Sequence, residues 1–246
     1  TKYSIPFILH KSILTVGVGE TVLAEKLCSF EKNKNSKIKL AYLPSTGKVR
    51  LRLTIKGENH QELESILQQA EEEVVSSISE FVYGYDNDIL ESKIGEMLLK
   101  EKWTIGTAES CTGGYLSHLI SSVSGSSAYY KGSIVSYANE IKQHLLKVNY
   151  DTLENVGAVS EQTVLQMLDG ALQQLNVDVA IAISGIAGPT GGTEEKPVGT
   201  VFIGVGTKDK KVVRHFVFTN NRERNIQLSA IFGLEMLRKF LLKQSK

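Results

Sequence analysis

Cysteine is nearly missing from this sequence. Cys28 and Cys111 are its only two, too few for a disulfide scaffold, which suits a reducing cytoplasm. The five histidines (His10, His60, His118, His144, His215) are scattered and show no zinc-type spacing. The expectation is no metal and no cofactor. A surplus of charge is missing too. The 28 basic residues nearly balance the 27 acidic ones, so no global field draws in nucleic acid or a membrane surface. No apolar run approaches the roughly 20 residues that span a bilayer. Nor does the sequence open with a charged-then-apolar leader.

What is present describes an ordinary globular protein: 246 residues, 41% hydrophobic, 22% charged, 21 glycines. That length fits one large domain or two of common size. The first residue is Thr1 rather than Met, which suggests a fragment of something longer. Residues 1–86 read as a small α+β unit. Ile5 to Val16 is strand-like, and Gly17-Val18-Gly19 leads into a helix over Glu20 to Phe30 with Val22, Leu23, Leu27 and Phe30 at helical spacing. Position 22 is Val where a dinucleotide fingerprint wants its third glycine, so the GxG serves a turn. Cys28 is expected as a buried residue of that helix, and Glu31 to Lys37 as a loop. Ile38–Leu43 and Val49–Ile55 flank Pro44-Ser45-Thr46-Gly47 and predict a hairpin. Val49, Leu51, Leu53 and Ile55 alternate with Arg50, Arg52, Thr54 and Lys56. One face is buried and one basic, and no interleaved aromatics would stack bases there, so the basic face reads as solvated. Gln61 to Phe81 predicts a long helix, and Tyr83 to Asn87 a hinge.

Residues 87–246 alternate helical and strand patterns. Helices are expected over Ile89–Lys100, Tyr115–Ser122, from Asn139 (as N-cap) through Leu146, from Ser160 through Leu175, and Ile226–Leu242. Strands are expected over Trp103–Ala108, Ser133–Tyr137, Val177–Ile183, Thr200–Gly206 and Val212–Phe218. The near-continuous apolar run Val177–Ile183 suits a strand buried on both faces. The alternation predicts a three-layer α/β/α domain, whose ligands bind beyond the carboxyl ends of the strands.

Three segments lie at such ends. Glu109-Ser110-Cys111-Thr112-Gly113-Gly114 joins a strand to a helix, where unpaired N–H groups and the positive helix end sit beside candidate nucleophiles. Ser110 with the Gly113 and Gly114 amides suits acyl transfer, while Ser110 or Thr112 as a plain helix cap is the competing reading. Tyr137 ends a strand, and Lys142 follows near a helix start, where the dipole and partial burial would lower its pKa while Glu140 nearby works the other way, leaving the sign of the net shift open. Such a lysine can serve as base for a serine. A surface lysine and a core tyrosine would look the same. Five glycines lie in 185–199 (Gly185, Gly188, Gly191, Gly192, Gly199). They bring backbone close to a ligand such as a ribose-phosphate, and the GK[ST] of a P-loop is missing. Arg222 and Arg224 start the last helix and can pair with a phosphate or be ordinary first-turn charges.

Five motifs occur in order: Ala108-Glu109-Ser110-Cys111-Thr112-Gly113-Gly114, Val135-Ser136-Tyr137-Ala138-Asn139, Gly157-Ala158-Val159-Ser160, Gly185-Ile186-Ala187-Gly188-Pro189 and Lys196-Pro197-Val198-Gly199-Thr200-Val201. Over residues 88–246 the sequence resembles the C-terminal, nicotinamide-nucleotide amidase (PncC) domain of the competence/damage-inducible CinA family. Residues 1–85 resemble that family's KH-like middle domain. The family's N-terminal molybdopterin-binding-like domain is not in this sequence, which leaves no basis for pyrophosphatase activity. The resemblance implies metal-free hydrolysis of the carboxamide of nicotinamide mononucleotide in pyridine nucleotide salvage. It implies Ser110, Tyr137 and Lys142 as catalytic, with the Thr112, Gly113 and Gly114 amides holding the oxyanion. Substrate would be held by Glu109, Gly185, Ala187, Gly188, Gly191, Gly192 and Arg224, and Cys111 would be structural. It implies a cytoplasmic homodimer. Competing expectations are a competence or DNA-damage scaffold with a secondary or vestigial site, bound to a recombination protein, and a hydrolase using Cys111.

Overall fold

The computed structural model describes residues 6–244, so Ile5, the expected start of the first strand, lies outside the described residues. The chain divides into two compact units, Thr1–Leu90 and Glu91–Lys246.

The first unit contains β1 (Phe7–Val16), α1 (Glu20–Lys26), α2 (Cys28–Asn33), β2 (Ile38–Ser45), β3 (Lys48–Gly57), α3 (His60–Ile78) and β4 (Val82–Tyr85). Its antiparallel sheet has the order β2-β3-β1-β4. The β2–β3 hairpin closes at the Ser45↔Lys48 pair. Along β3 the alternation becomes burial: Val49, Leu51, Leu53 and Ile55 are buried, while Arg50, Arg52 and Lys56 are exposed. Against that apolar face α3 lays Leu63, Leu67, Ala70, Val74 and Ile78, spaced three and four apart as one helical stripe. The Asn59 side chain accepts the Glu62 N–H and caps α3.

Several expectations for this unit are corrected. The Glu20–Phe30 helix is two helices meeting at Leu27, and α2 continues through Asn33 into the expected loop. Leu23, Leu27 and Phe30 face the core. Cys28 is exposed, because it follows Leu27 by one residue and so turns about 100° away from that stripe. Val22 is exposed for the same geometric reason. The expected hinge is the edge strand β4, paired antiparallel with β1 through Ile13↔Tyr85 and Leu14↔Gly84.

The second unit contains α4 (Leu90–Glu101), which begins at the boundary, β5 (Ile105–Glu109), α5 (Tyr115–Ser121), β6 (Tyr130–Val135), α6 (Asn139–Leu146), α7 (Tyr150–Asn155), α8 (Glu161–Gln174), β7 (Val179–Gly185), β8 (Thr200–Gly206), β9 (Lys211–Val217) and α9 (Arg222–Gln244). The sheet order is β6-β5-β7-β8-β9. β6, β5 and β7 are parallel, and β8 and β9 run antiparallel to their neighbours. Helices flank both faces. Ala180 and Ala182 pack with Val164, Met167 and Leu168 of α8, while Ile181 and Ile183 lie under α9 at Gly233. Period-two alternation on β7 thus divides two fully buried faces. Ser160 accepts the Thr163 N–H and caps α8. Asn139, expected to cap α6, is instead its first residue, behind Ala138. No described helix is long and apolar enough to cross a membrane.

Candidate active site

β5, β6 and β7 end on the same side of the sheet, and the chain leaving each end lines one cavity of about 360 Å³. That size lies in the range of small-molecule sites, roughly 300–1,000 Å³. Ser110 and Cys111 come from the turn after β5, Tyr137 from the end of β6, and Lys142 from α6. Ser184 and Gly185 end β7, Ile186 to Gly188 follow it, and Arg222 opens α9. The rim is knitted by the backbone: Ser110 N–H donates to the Ile183 carbonyl at 3.0 Å and Ser136 N–H to the Glu109 carbonyl at 2.7 Å.

Lys142 lies in the first turn of α6 and is 1% exposed. A surface lysine would not be so placed. Its Nζ turns back to donate to the Ser136 carbonyl at 2.8 Å and, at 3.4 Å, to that of Tyr137. Both acceptors are neutral, and no carboxylate among the described residues is paired with the amine. Burial therefore lowers its pKa, opposed in part by Cys111, and the neutral amine is more populated than in free lysine. Position of α6 depends on α8: a Cβ at Gly170 would overlap the Leu146 carbonyl, so only glycine permits that crossing. Cys111 lies in the same cavity, but burial pushes its thiol up to about 12. A thiol held protonated is a poor nucleophile.

Tyr137 is 62% exposed, so it is no core aromatic. Its hydroxyl accepts from Arg222 Nη2 at 3.0 Å, and Arg222 Nη1 donates to the Gly188 carbonyl at 2.8 Å. Arg222 thus ties the end of β6 to the glycine-rich loop. Gly185, Ala187, Gly188 and Gly191 line the cavity.

The structure does not bring Arg224, Gly192, Glu109, Gly113 or Gly114 into it. Arg224 is exposed and absent from the lining. Two residues along a helix are about 200° apart, so α9 turns one arginine inward and the other out. Gly192 packs against Pro197 and Val198 instead. Glu109 is fully buried. Its carboxylate accepts the N–H groups of Gly114 and Leu116 (both 3.1 Å) and Ser117 (2.8 Å), plus the Ser133 hydroxyl (3.2 Å). It holds the open end of α5 rather than a ligand. That also engages the Gly114 amide, and the Gly113 amide donates to the Ser110 carbonyl at 3.1 Å. Neither is free for an oxyanion. The N–H groups of Cys111 and Thr112 donate to no other residue among those described, and Thr112 Oγ1 is buried without a partner. Gly114, at φ 98°, permits the left-handed entry into α5.

Ser184, Ile186 and Thr190, which belong to the segment expected at the end of β7, and Asn139, Ala158 and Val159, which were not expected as site residues, complete the wall. The Ser184 hydroxyl donates to the Ala158 carbonyl at 2.6 Å. The Gly157–Ser160 motif was the available signal.

An α/β/α unit with a polar cavity at the ends of its parallel strands, preceded by a four-stranded α+β module, is therefore the class. The profile described as the CinA C-terminal domain matches residues 87–241, and that of the damage-inducible protein CinA KH domain matches residues 10–84. The chain belongs to the CinA family. A CinA-like protein of Cytophaga hutchinsonii is 46% identical over 240 residues, covering 98% of this chain and 57% of that protein. Another, of Flavobacterium psychrophilum, is 42% identical over 243 residues, covering 98% and 58%. This chain thus spans less than two thirds of their length. Among solved structures, a competence/damage inducible protein of Agrobacterium tumefaciens aligns with TM-score 0.60 and 36% identity, over 61% of this chain and 92% of that one. A CinA superfamily protein of Klebsiella pneumoniae aligns with TM-score 0.61 and 33% identity, over 63% and 96%.

Proposed function

We propose that the second unit hydrolyses the carboxamide of nicotinamide mononucleotide to nicotinate mononucleotide and ammonia through an acyl-serine. The observation that carries this reading is the pairing, in one cavity, of a serine on a strand-to-helix turn with a buried lysine whose amine has no carboxylate partner among the described residues. An amide carbon needs a nucleophile deprotonated as it attacks and a proton for the departing nitrogen. The neutral Lys142 amine takes the Ser110 proton as Oγ bonds to the carboxamide carbon. The resulting ammonium gives that proton to the leaving nitrogen as the C–N bond breaks. Water then adds to the ester, its proton passing to Lys142 and back to Ser110 Oγ on release of the carboxylate. The free N–H groups of Cys111 and Thr112 are the donors available to the oxyanion. Arg222, with the backbone of Gly185 to Gly191, takes the ribose-phosphate end, and Tyr137 stands with Arg222.

The test is ammonia release from nicotinamide mononucleotide by the wild type and Ser110→Ala, each with and without chelator. Turnover that survives chelator and is lost in the alanine variant supports the reading. A folded wild type with no turnover would favour the scaffold reading instead.

A further inference from the structure

The other end of the same sheet carries a second cavity, of about 690 Å³. It lies where β5 and β7 begin and where β8 turns into β9, and it shares no lining residue with the first. Three features define its chemistry. Its one aromatic side chain is Trp103, the only tryptophan of the chain. Trp103 is partly exposed, so a face or edge is open to a ligand. Second, α4 ends at Glu101 and α8 at Gln174. Trp103 and Asn176 of the lining lie within two residues of those ends. Two helix carboxyl ends, each carrying about half a negative charge, thus border one hollow. Third, the β8–β9 turn contributes Lys208, Asp209 and Lys210.

These features select opposite charges in different places. An indole beneath negative helix ends favours a flat cation, which gains both dipole attraction and cation–π stacking. Asp178, the acid nearest the strand starts, accepts from the Thr104 N–H and hydroxyl through Oδ2, both at 2.7 Å, which leaves its negative charge on the same side as those helix ends. Across the cavity, Lys208 has no ion-pair partner among the described residues, and the Lys210 ammonium rests 6.0 Å from the Phe240 ring centre. Two exposed lysines flanking Asp209 leave a surplus positive charge on that wall, suited to a phosphate.

We propose that this cavity is a second ligand site for a planar aromatic cation carrying a phosphate, its ring on Trp103 and its phosphate on Lys208 and Lys210. The site stands apart from the amidase reading, because its readout is local fluorescence rather than turnover. The experiment titrates Trp103 emission of the whole chain carrying Ser110→Ala, which cannot consume nicotinamide mononucleotide by the proposed reaction, with three probes. Nicotinamide mononucleotide has both parts, N-methylnicotinamide only the cationic ring, and adenosine monophosphate a phosphate with a neutral ring. Expected is saturable quenching by nicotinamide mononucleotide, with at least tenfold tighter binding than either partial probe. In Lys208→Ala/Lys210→Ala its affinity falls to that of N-methylnicotinamide. Linear, unsaturable quenching by every probe would overturn the proposal. So would saturable quenching that the double variant leaves unchanged, since that signal would arise at the first cavity. Equal binding of adenosine monophosphate would remove the case for a cationic ring.

Discussion

Glu109→Gln replaces one carboxylate oxygen with an amino group and alters nothing in size. In the native fold one oxygen accepts the N–H groups of Gly114 and Leu116, and the other accepts the Ser117 N–H and the Ser133 hydroxyl. A glutamine can satisfy only one of these pairs. If its oxygen takes Gly114 and Leu116, its amino group faces the Ser117 N–H, donor against donor. Ser133 can rotate to accept, but the amide cannot. One buried N–H left without a partner costs about 1–3 kcal/mol. Loss of the negative charge at the start of α5 adds about 0.3–2 kcal/mol, for a total of about 1–5 kcal/mol. Trp103 lies in the second unit, so its fluorescence during urea unfolding reports that unit. The expected result is a lower midpoint at unchanged slope. A loss below about 0.5 kcal/mol, joined to a raised KM, would refute the argument and return Glu109 to the substrate.

Lys142→Met should abolish ammonia release and also flatten a pH dependence of stability. Because burial lowers the folded-state pKa of Lys142 below the ordinary 10.5, the unfolded chain binds more protons between those two values. Wild-type stability therefore rises with pH across that window; denaturation at stepped pH should show the rise in wild type and not in the variant. The wild-type kcat/KM should climb through the same lowered pKa, and a flat profile would count against the lysine as base. Arg222→Ala should raise KM about 10- to 100-fold, from the loss of a charged hydrogen bond of about 1.5–3 kcal/mol, while Arg224→Ala should stay within about twofold, both by steady-state kinetics. Gly170→Ala should cost about 1–3 kcal/mol through overpacking at α6 and lower kcat by moving Lys142, measured by urea unfolding and turnover on the same sample.

The second unit was most legible where a strand is nearly all apolar, as β7 is, or runs into a glycine-bearing turn, as β5 does. The run from Val177 to Ile183 announces a strand buried on both faces, and the residues at its end fall in the cavity. Ser110, Tyr137 and Lys142 were legible as a set for the same reason: each follows a recognisable strand or helix start. Less was legible where position depends on rotation rather than pattern. Arg222 and Arg224 are equivalent as letters, and only the onset of α9 decides which one turns inward. Glu109 reads as a polar residue beside a nucleophile, yet it is buried because three helix N–H groups need an acceptor. Tyr83-Gly84-Tyr85 has the composition of a hinge, and its pairing with Ile13 and Leu14 is made across some 70 residues of chain, beyond any local signal.

The hydrogen bonds that join Ser110 to Ile183 and Ser136 to Glu109 extend the sheet one step past its strands. The groups lining the first cavity are therefore fixed by the same cooperative ladder that holds the domain together. Their ordering entropy is spent during folding, not when a ligand arrives. Amide protons at Ser110 and Ser136 should then exchange only as slowly as the central strands open. A ligand would meet a mould that is already set, and its rate of entry would be governed by diffusion and by the side chains of Tyr137 and Arg222 at the mouth.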